Sequence, residues 1–230
     1  MPNNKRSVIV AIDGPSASGK STVSKRVAED LKFVFVGSGA FYRGMTWKSV
    51  REGVEVKNPE QVIHLMFQLK WNFYAENRVV VFTIDGEDPG LQLRSEPVRE
   101  KVATIATIPE VRSFLVERLR ETKRFGDMVM EGRDVGSVIF PDTPLKFYLD
   151  ADPQERARRR HKELVQMEGE GNVSEVLDSL TRRDQIDRTR KIDPLQISLG
   201  AKVINTTSLG IEEVVSLIVS NVQQAISKGL

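Results

Sequence analysis

The 230-residue chain has no cysteine and only two histidines. Without thiols, disulfides, zinc–thiolate centres and cysteine nucleophiles are excluded. His64 and His161 have no matching metal or triad partners and read as ordinary helix residues. An excess of one charge is missing too: 34 Lys plus Arg against 32 Asp plus Glu leave a net charge of only +2. That balance argues against a general nucleic-acid or membrane binder, so any basic function must be local. Long apolar runs are absent. The opening residues 1–6 lead only into Val8-Ile9-Val10-Ala11-Ile12, too short for a signal peptide or a membrane span, which points to a cytoplasmic protein. Glycine and proline, 16 and 10 residues, are at ordinary levels, so disordered and collagenous readings fall away. What remains is a globular chain of one large domain, with no apolar seam left over to suggest more than a monomer.

The run Val8 to Ile12 is short, β-branched and apolar on both faces, as a buried parallel strand is. It stops at Asp13-Gly14-Pro15, after which Val23, Val27 and Leu31 recur every four residues and predict a helix from near Lys20. The strand signal returns at Phe33 to Val36, Met128 to Met130, Lys146 to Leu149 and Lys202 to Ile204. Helical patterns separate these runs, through Val111, Phe114, Leu115 and Leu119 and then from Ile211 to Ile226. Such alternation predicts an α/β fold, a five-stranded parallel sheet covered on both faces. Two stretches depart from it. Leu69, Trp71 and Phe73, a turn at Ala75-Glu76-Asn77, and the strand Arg78 to Ile84 predict a small antiparallel insert, with Asp85-Gly86 a further hairpin signal. Residues 154–191 carry 10 Lys or Arg among 38 and read as irregular and mobile, with a loop at 168–172.

Gly14-Pro15-Ser16-Ala17-Ser18-Gly19-Lys20-Ser21, followed by Thr22, fills every fixed position of GxxxxGK[ST] between a predicted strand and a predicted helix. Phosphate oxygens need several donors at once. Glycines let backbone N–H groups converge on them, and the helix N-terminus adds positive potential. Lys20 is placed to bridge β- and γ-phosphates and Ser21 to help hold Mg²⁺. The GTPase base-reading [NT]KxD and DxxG elements are absent. The strand Met128-Val129-Met130 instead ends in Glu131-Gly132-Arg133-Asp134, mixing acid and cation at the carboxyl edge where α/β sheets place ligands. That combination reads as a small-molecule kinase.

The sequence resembles the bacterial cytidylate kinases of the nucleoside monophosphate kinase group along nearly its whole length. The matching stretches are IDGPSASGKST from Ile12, SGAFYR from Ser38, PEVR from Pro109, EGRDVGSVIFPD from Glu131, LDADPQERARRR from Leu149 and RRDQIDRTR from Arg182. The resemblance implies a three-layer P-loop kinase domain. Its core would comprise residues 1–37, 113–153 and 192–230, with an antiparallel-β NMP-binding lobe about 38–112 and an Arg-rich helical lid about 154–191. It implies transfer of the γ-phosphoryl group of ATP to CMP or dCMP with Mg²⁺. On this reading Ser38, Tyr42 and Arg43 line the acceptor pocket, and Arg112, Arg133 and Asp134 engage base and phosphate. Arg183, Asp187 and Arg190 act from the lid, the aspartate reaching the ribose. Arg156, Arg159 and Arg160 match the lid helix, and Lys20, Arg133, Arg159 and Arg190 form the catalytic set. Gly37 stands where the family commonly has Asp, Ala103 where it often has Ser, and Asn205 where Asp is frequent.

The chemistry asks for such a set on its own terms. Cytosine offers an N4 amino donor that a carboxylate such as Asp134 accepts, whereas uracil presents a carbonyl there. Two nucleotides bring roughly six negative charges together, so arginines and a cation matter more than a nucleophile. Bland alternatives stand beside each role. Arg156 to Arg160 could be a solvated helix face with Arg158 its outermost member, Arg133 could pair with Asp134, and Arg112 could cap its own helix. Arg182, Arg188 and Lys191 suit solvent, Trp47 and Trp71 the core, and Asp13 a supporting role at the turn. Two other functions stay open: a kinase of UMP or another metabolite, and a non-catalytic ATP-binding regulator.

Overall fold

The computed structural model describes residues 7–168 and 172–230. The start of the chain and the centre of the expected 168–172 loop therefore lie outside the described residues. Strand β1 (Ile9–Asp13) is wholly buried at the middle of the sheet. Beside it run β5 (Met128–Gly132) and β6 (Leu145–Asp150), with β2 (Val34–Gly37) and β7 (Lys202–Asn205) beyond them, all parallel. The full sheet has seven strands, in the order β3-β4-β2-β5-β1-β6-β7.

Seven strands correct the expected five. The antiparallel hairpin of β3 (Trp71–Glu76) and β4 (Val79–Ile84) does form, turning at Asn77 and Arg78, both at positive φ. It is not a detached insert, however, because β4 pairs in parallel with β2 through Phe35 and Val79. The free edge of β2 would otherwise leave backbone groups unpaired, and the hairpin covers it. Asp85-Gly86 makes a second tight turn, closed by a bridge between Ile84 and Glu87.

Alternation along the strands builds two cores, one on each face. Val10, Ile12, Val129, Phe147 and Leu149 face α1 (Lys20–Leu31) and α8 (Ile211–Ser227). Ala11, Val36, Met128 and Met130 face α2 (Ser38–Arg51), α4 (Glu96–Ile105) and α5 (Pro109–Glu121). Helix α3 (Pro59–Gln68) closes that second layer through Val62, Leu65 and Met66. Trp71 and Phe73 stack on Phe41 there, and Trp47 is buried, so both tryptophans are core residues. His64 bonds Gln68 on α3, as an ordinary helix residue does.

Within 154–191, irregular by composition but a helical lid by the resemblance, the described residues form two helices, α6 (Pro153–Glu168) and α7 (Val173–Thr189). Their charge-rich sequences hide a narrow apolar seam of Ala157, Val176 and Leu180, against which Ala17 of the β1–α1 loop packs. The helices thus sit directly on that loop.

Candidate active site

The β1–α1 loop is shaped by three backbone positions. Gly14 (φ 148) lies against the Leu149 backbone, where any side chain would collide, while Ala17 (φ 59) and Gly19 (φ 88) turn the chain into α1. Lys20 curls back across the loop, donating to the Pro15 carbonyl at 2.5 Å and to Ser18 Oγ at 3.3 Å. Ser18 Oγ itself donates to the Pro15 carbonyl. Burial, reinforced by the charge of Arg133, lowers the Lys20 ammonium to a pKa of about 7. A buried cation with a lowered pKa, beside a glycine-rich loop and a helix N-terminus, suits a polyphosphate.

Ser21, on the first turn of α1, donates to Glu131 Oε1 at 2.9 Å. The partner strand positions are in register there, Gly37 opposite Glu131, and a Cβ on Gly37 would lie 3.6 Å from Oε1. That is ordinary van der Waals contact, so a Cβ at 37 would fit beside the Glu131 carboxylate. Thr22 is exposed, away from the loop's interior. Asp13 accepts from the Val135 and Gly136 amides at 2.8 Å each and so anchors the turn after β5, the supporting role expected of it. Burial pushes its pKa up to about 7 despite those two amides.

Helices α6 and α7 lock onto the loop through charge. Arg156 is buried, pairs with Asp184 and donates to the Ser16 carbonyl at 3.1 Å, while Asp184 accepts from the Ser16 amide. Arg159 reaches Thr206 by two bonds, and its guanidinium lies 3.8 Å from where Gly19 would carry a Cβ. Thr206 also donates to the Ser18 carbonyl. Arg160 pairs with Glu163, and Arg158 is the outermost of the four. The cluster is therefore part loop-binding and part solvated face, divided by helical position.

Beyond the loop lies a second group. Arg133 donates to Asp187 and to Ser16 Oγ, both at 2.9 Å. Asp134 pairs instead with Arg112 and faces Arg190 at 3.6 Å, so Arg133 and Asp134 do not neutralise each other. Arg112 is only 1% exposed, and its guanidinium stacks 5.5 Å from the Tyr42 ring, so it neither caps nor solvates its own helix. Desolvation works against its charge, but Asp134 and Asp193 outweigh it and hold its pKa above the usual value. Burial raises the pKa of the Tyr42 hydroxyl, which has no hydrogen-bond partner among the described residues. Ser38 is packed behind Gly132 at the start of α2.

Arg43 and Arg183 complete the site and differ from the rest. Among the described residues neither has an acidic partner, and the buried Nε of each has no hydrogen bond. Burial first, then the neighbouring charges of Arg133 and Arg160, depress both, Arg183 to about 10, although Glu131 near Arg43 and Asp187 near Arg183 partly offset this. Like charges held together at that cost point to an anion that belongs among them.

This is the arrangement expected of a phosphotransferase, and the comparisons with known proteins agree. The family model for cytidylate kinase matches residues 10–224. The chain belongs to the cytidylate kinase family. A cytidylate kinase of Caldanaerobacter subterraneus subsp. tengcongensis is 41% identical over 90% of this chain and 91% of its own length. One from Pelotomaculum thermopropionicum is 39% identical over 93% and 95%, and one from Bacillus cereus 36% over 96% and 98%.

Of the expected residues, Arg112, Asp134, Arg190, Asp187 and Arg133 form one chain of ion pairs, and Arg133 also acts on the charges of Lys20, Arg43 and Arg183. Sequence reasoning passed over Asp184, Asp193, Thr206 and the bond of Glu131. Asp184 had a signal: with Leu180 and Asp187 it falls on one face of α7, at intervals of four and three. Arg182, Arg188 and Lys191 are exposed, as expected. Among the described residues no helix is long and apolar enough to cross a membrane.

Proposed function

We infer that the protein transfers the γ-phosphoryl group of ATP to CMP or dCMP, giving ADP and the nucleoside diphosphate. The observation that carries this is the pair of arginines without an ion-pair partner among the described residues, Arg43 and Arg183, set beside Arg133. In this reading the loop amides and Lys20 hold the ATP phosphates, and Arg43, Arg133 and Arg183 hold the acceptor phosphate. An acceptor phosphate oxygen attacks the γ-phosphorus in line, one P–O bond forms, and the bond to the ADP oxygen breaks. Charge spreads over the equatorial oxygens as this happens, so cations fixed in advance stabilise it without reorganising. Arg159, held over Gly19 by Thr206, is placed toward the same polyphosphate.

Ser21 and Glu131 fit Mg²⁺ in donor type: a hydroxyl and a carboxylate, hard oxygens 2.9 Å apart at the helix that follows the loop. They would hold it, with nucleotide oxygens and water completing the shell. When bound it would neutralise phosphate charge. Asp134 accepts from the cytosine N4 amino group, which uracil lacks, and Asp187 reaches the ribose. Closure of α6 and α7 over the loop excludes water that would otherwise take the phosphoryl group. Residues 38–112 then act as the acceptor lobe and 154–191 as the lid of a cytoplasmic monomer. ADP production with a panel of acceptors tests the proposal. CMP and dCMP are expected to drive turnover far faster than UMP; equal rates with UMP would overturn the assignment of Asp134.

A further inference from the structure

Asp193 has no part in the set just described, yet it holds two members of it. Its carboxylate accepts from Arg112 Nε at 3.0 Å, and its carbonyl accepts from Arg190 Nε at 2.6 Å. Both arginines face Asp134, so one residue grips from behind the two cations that frame the base-reading acid. Its backbone is left-handed, with φ 49 at a residue that is not glycine. Such a conformation is uphill for most side chains and persists where the surroundings enforce it. Here the two arginine bonds do so. The segment that carries it leaves α7 directly, so it also ties the end of that helix to α5.

Arg112 has every edge committed: Nε to Asp193, one terminal nitrogen to Asp134, the other to the Ala106 carbonyl at 3.3 Å. An acceptor base that takes Asp134 draws on the same guanidinium. Asp193 is then the acid left to keep Arg112 aimed, because among the described residues no third carboxylate lies within ion-pair distance of it. Removing Asp193 would leave a buried cation with one flank unpaired and Asp134 as its sole carboxylate among the described residues, so Arg112 would hold Asp134 more firmly against cytosine.

We infer that Asp193 is a positioning residue that sets the affinity for the cytidine acceptor by aiming Arg112 and Arg190 around Asp134. This rests on the assignment of CMP or dCMP as acceptor. It predicts that acceptor affinity changes more than turnover, because, of the expected catalytic set, only Arg190 touches Asp193, and Arg190 also keeps Asp134 and Asp187 beside it.

The test is steady-state kinetics of Asp193→Gly, Asp193→Ala and Asp193→Asn against the wild type. Glycine relieves the left-handed backbone and removes the carboxylate, so its loss reports the side chain alone. Asn tolerates the same backbone and keeps an acceptor oxygen for Arg112. Expected are a roughly tenfold rise in KM for CMP in the Gly and Ala variants, about 1.4 kcal/mol. Their KM for ATP should stay within about twofold, kcat should fall by less than KM for CMP rises, and Asn should recover most of the loss. An unmoved KM for CMP in Asp193→Gly overturns the inference. So does a fall in kcat that exceeds the rise in KM for CMP, or failure of Asn to rescue. A wild type that does not phosphorylate CMP would instead sink the acceptor assignment, and the same assay separates the two.

Discussion

Lys20 gives the most quantitative prediction, and the perturbation is pH. Burial first, and Arg133 second, hold its pKa at about 7. At pH 8 about one Lys20 in ten would then carry a proton before nucleotide arrives, whereas a triphosphate on the loop restores the charge. The sign follows: binding takes up protons, so ATP affinity is highest below pH 7 and falls as pH rises. The limit is about tenfold per pH unit between pH 7 and 9, with uptake near 0.9 proton per nucleotide at pH 8. Calorimetric titrations at pH 8 in buffers of differing ionisation enthalpy measure this directly. Asp13, also near 7, is the other group able to contribute. Lys20→Arg separates them, because a guanidinium keeps its proton throughout this range and uptake should fall toward zero. Zero uptake in the wild type would refute the buried, weakly charged lysine. Uptake that persists in Lys20→Arg would move the proton to Asp13.

Two further outcomes follow from particular contacts. In Gly44→Ala the new methyl would lie 2.7 Å from the Phe82 ring, too close for either side, so α2 must shift from the hairpin. Thermal denaturation should show a loss of about 1–3 kcal/mol, and an unchanged midpoint would show that this contact is soft. Asp134→Asn keeps the shape of the side chain but can present an amide nitrogen to the uracil carbonyl. The preference for CMP over UMP should shrink by about 1–3 kcal/mol, roughly tenfold to hundredfold, and unchanged selectivity would assign base reading to another group.

The parts of the molecule visible in the sequence are those whose pattern is local. Val8 to Ile12, the glycine loop and the Val23-Val27-Leu31 stripe each state their structure within a few residues, and β1, the loop and α1 stand as expected. Helix α2 gave little signal because it is buried on most sides: Phe41, Met45 and Trp47 meet the core alongside Ser49, Thr46 and Lys48, which blurs any stripe. Thr46 and Ser49 are tolerated there because each returns its hydroxyl to a carbonyl four residues back. Lys48 finds Glu52 and Asp85. The hairpin itself was legible, but its docking onto β2 was not, since a single pair, Phe35 and Val79, makes the join.

The site divides in the same way. Lys20, Arg133 and Asp134 could be found because they sit in contiguous motifs at a strand end. Asp193 could not, because its partner Arg112 lies 81 positions away and nothing in the local sequence marks the pair. The departures are informative once placed. Gly37 sits opposite Glu131 in the sheet, and Asn205 uses its side chain to accept from the Thr207 amide, keeping the strand end beside Thr206 in order.

Comparing CMP with cytidine tests the claim on which the account turns, that Arg43 and Arg183 receive a phosphate. Each charged hydrogen bond is worth about 1.5–3 kcal/mol, so titration calorimetry should show CMP binding at least about a hundredfold more tightly than cytidine. That gap should shrink by about tenfold or more in Arg43→Gln and in Arg183→Gln. Equal affinity for the nucleotide and the nucleoside, or a gap that neither substitution changes, would contradict it.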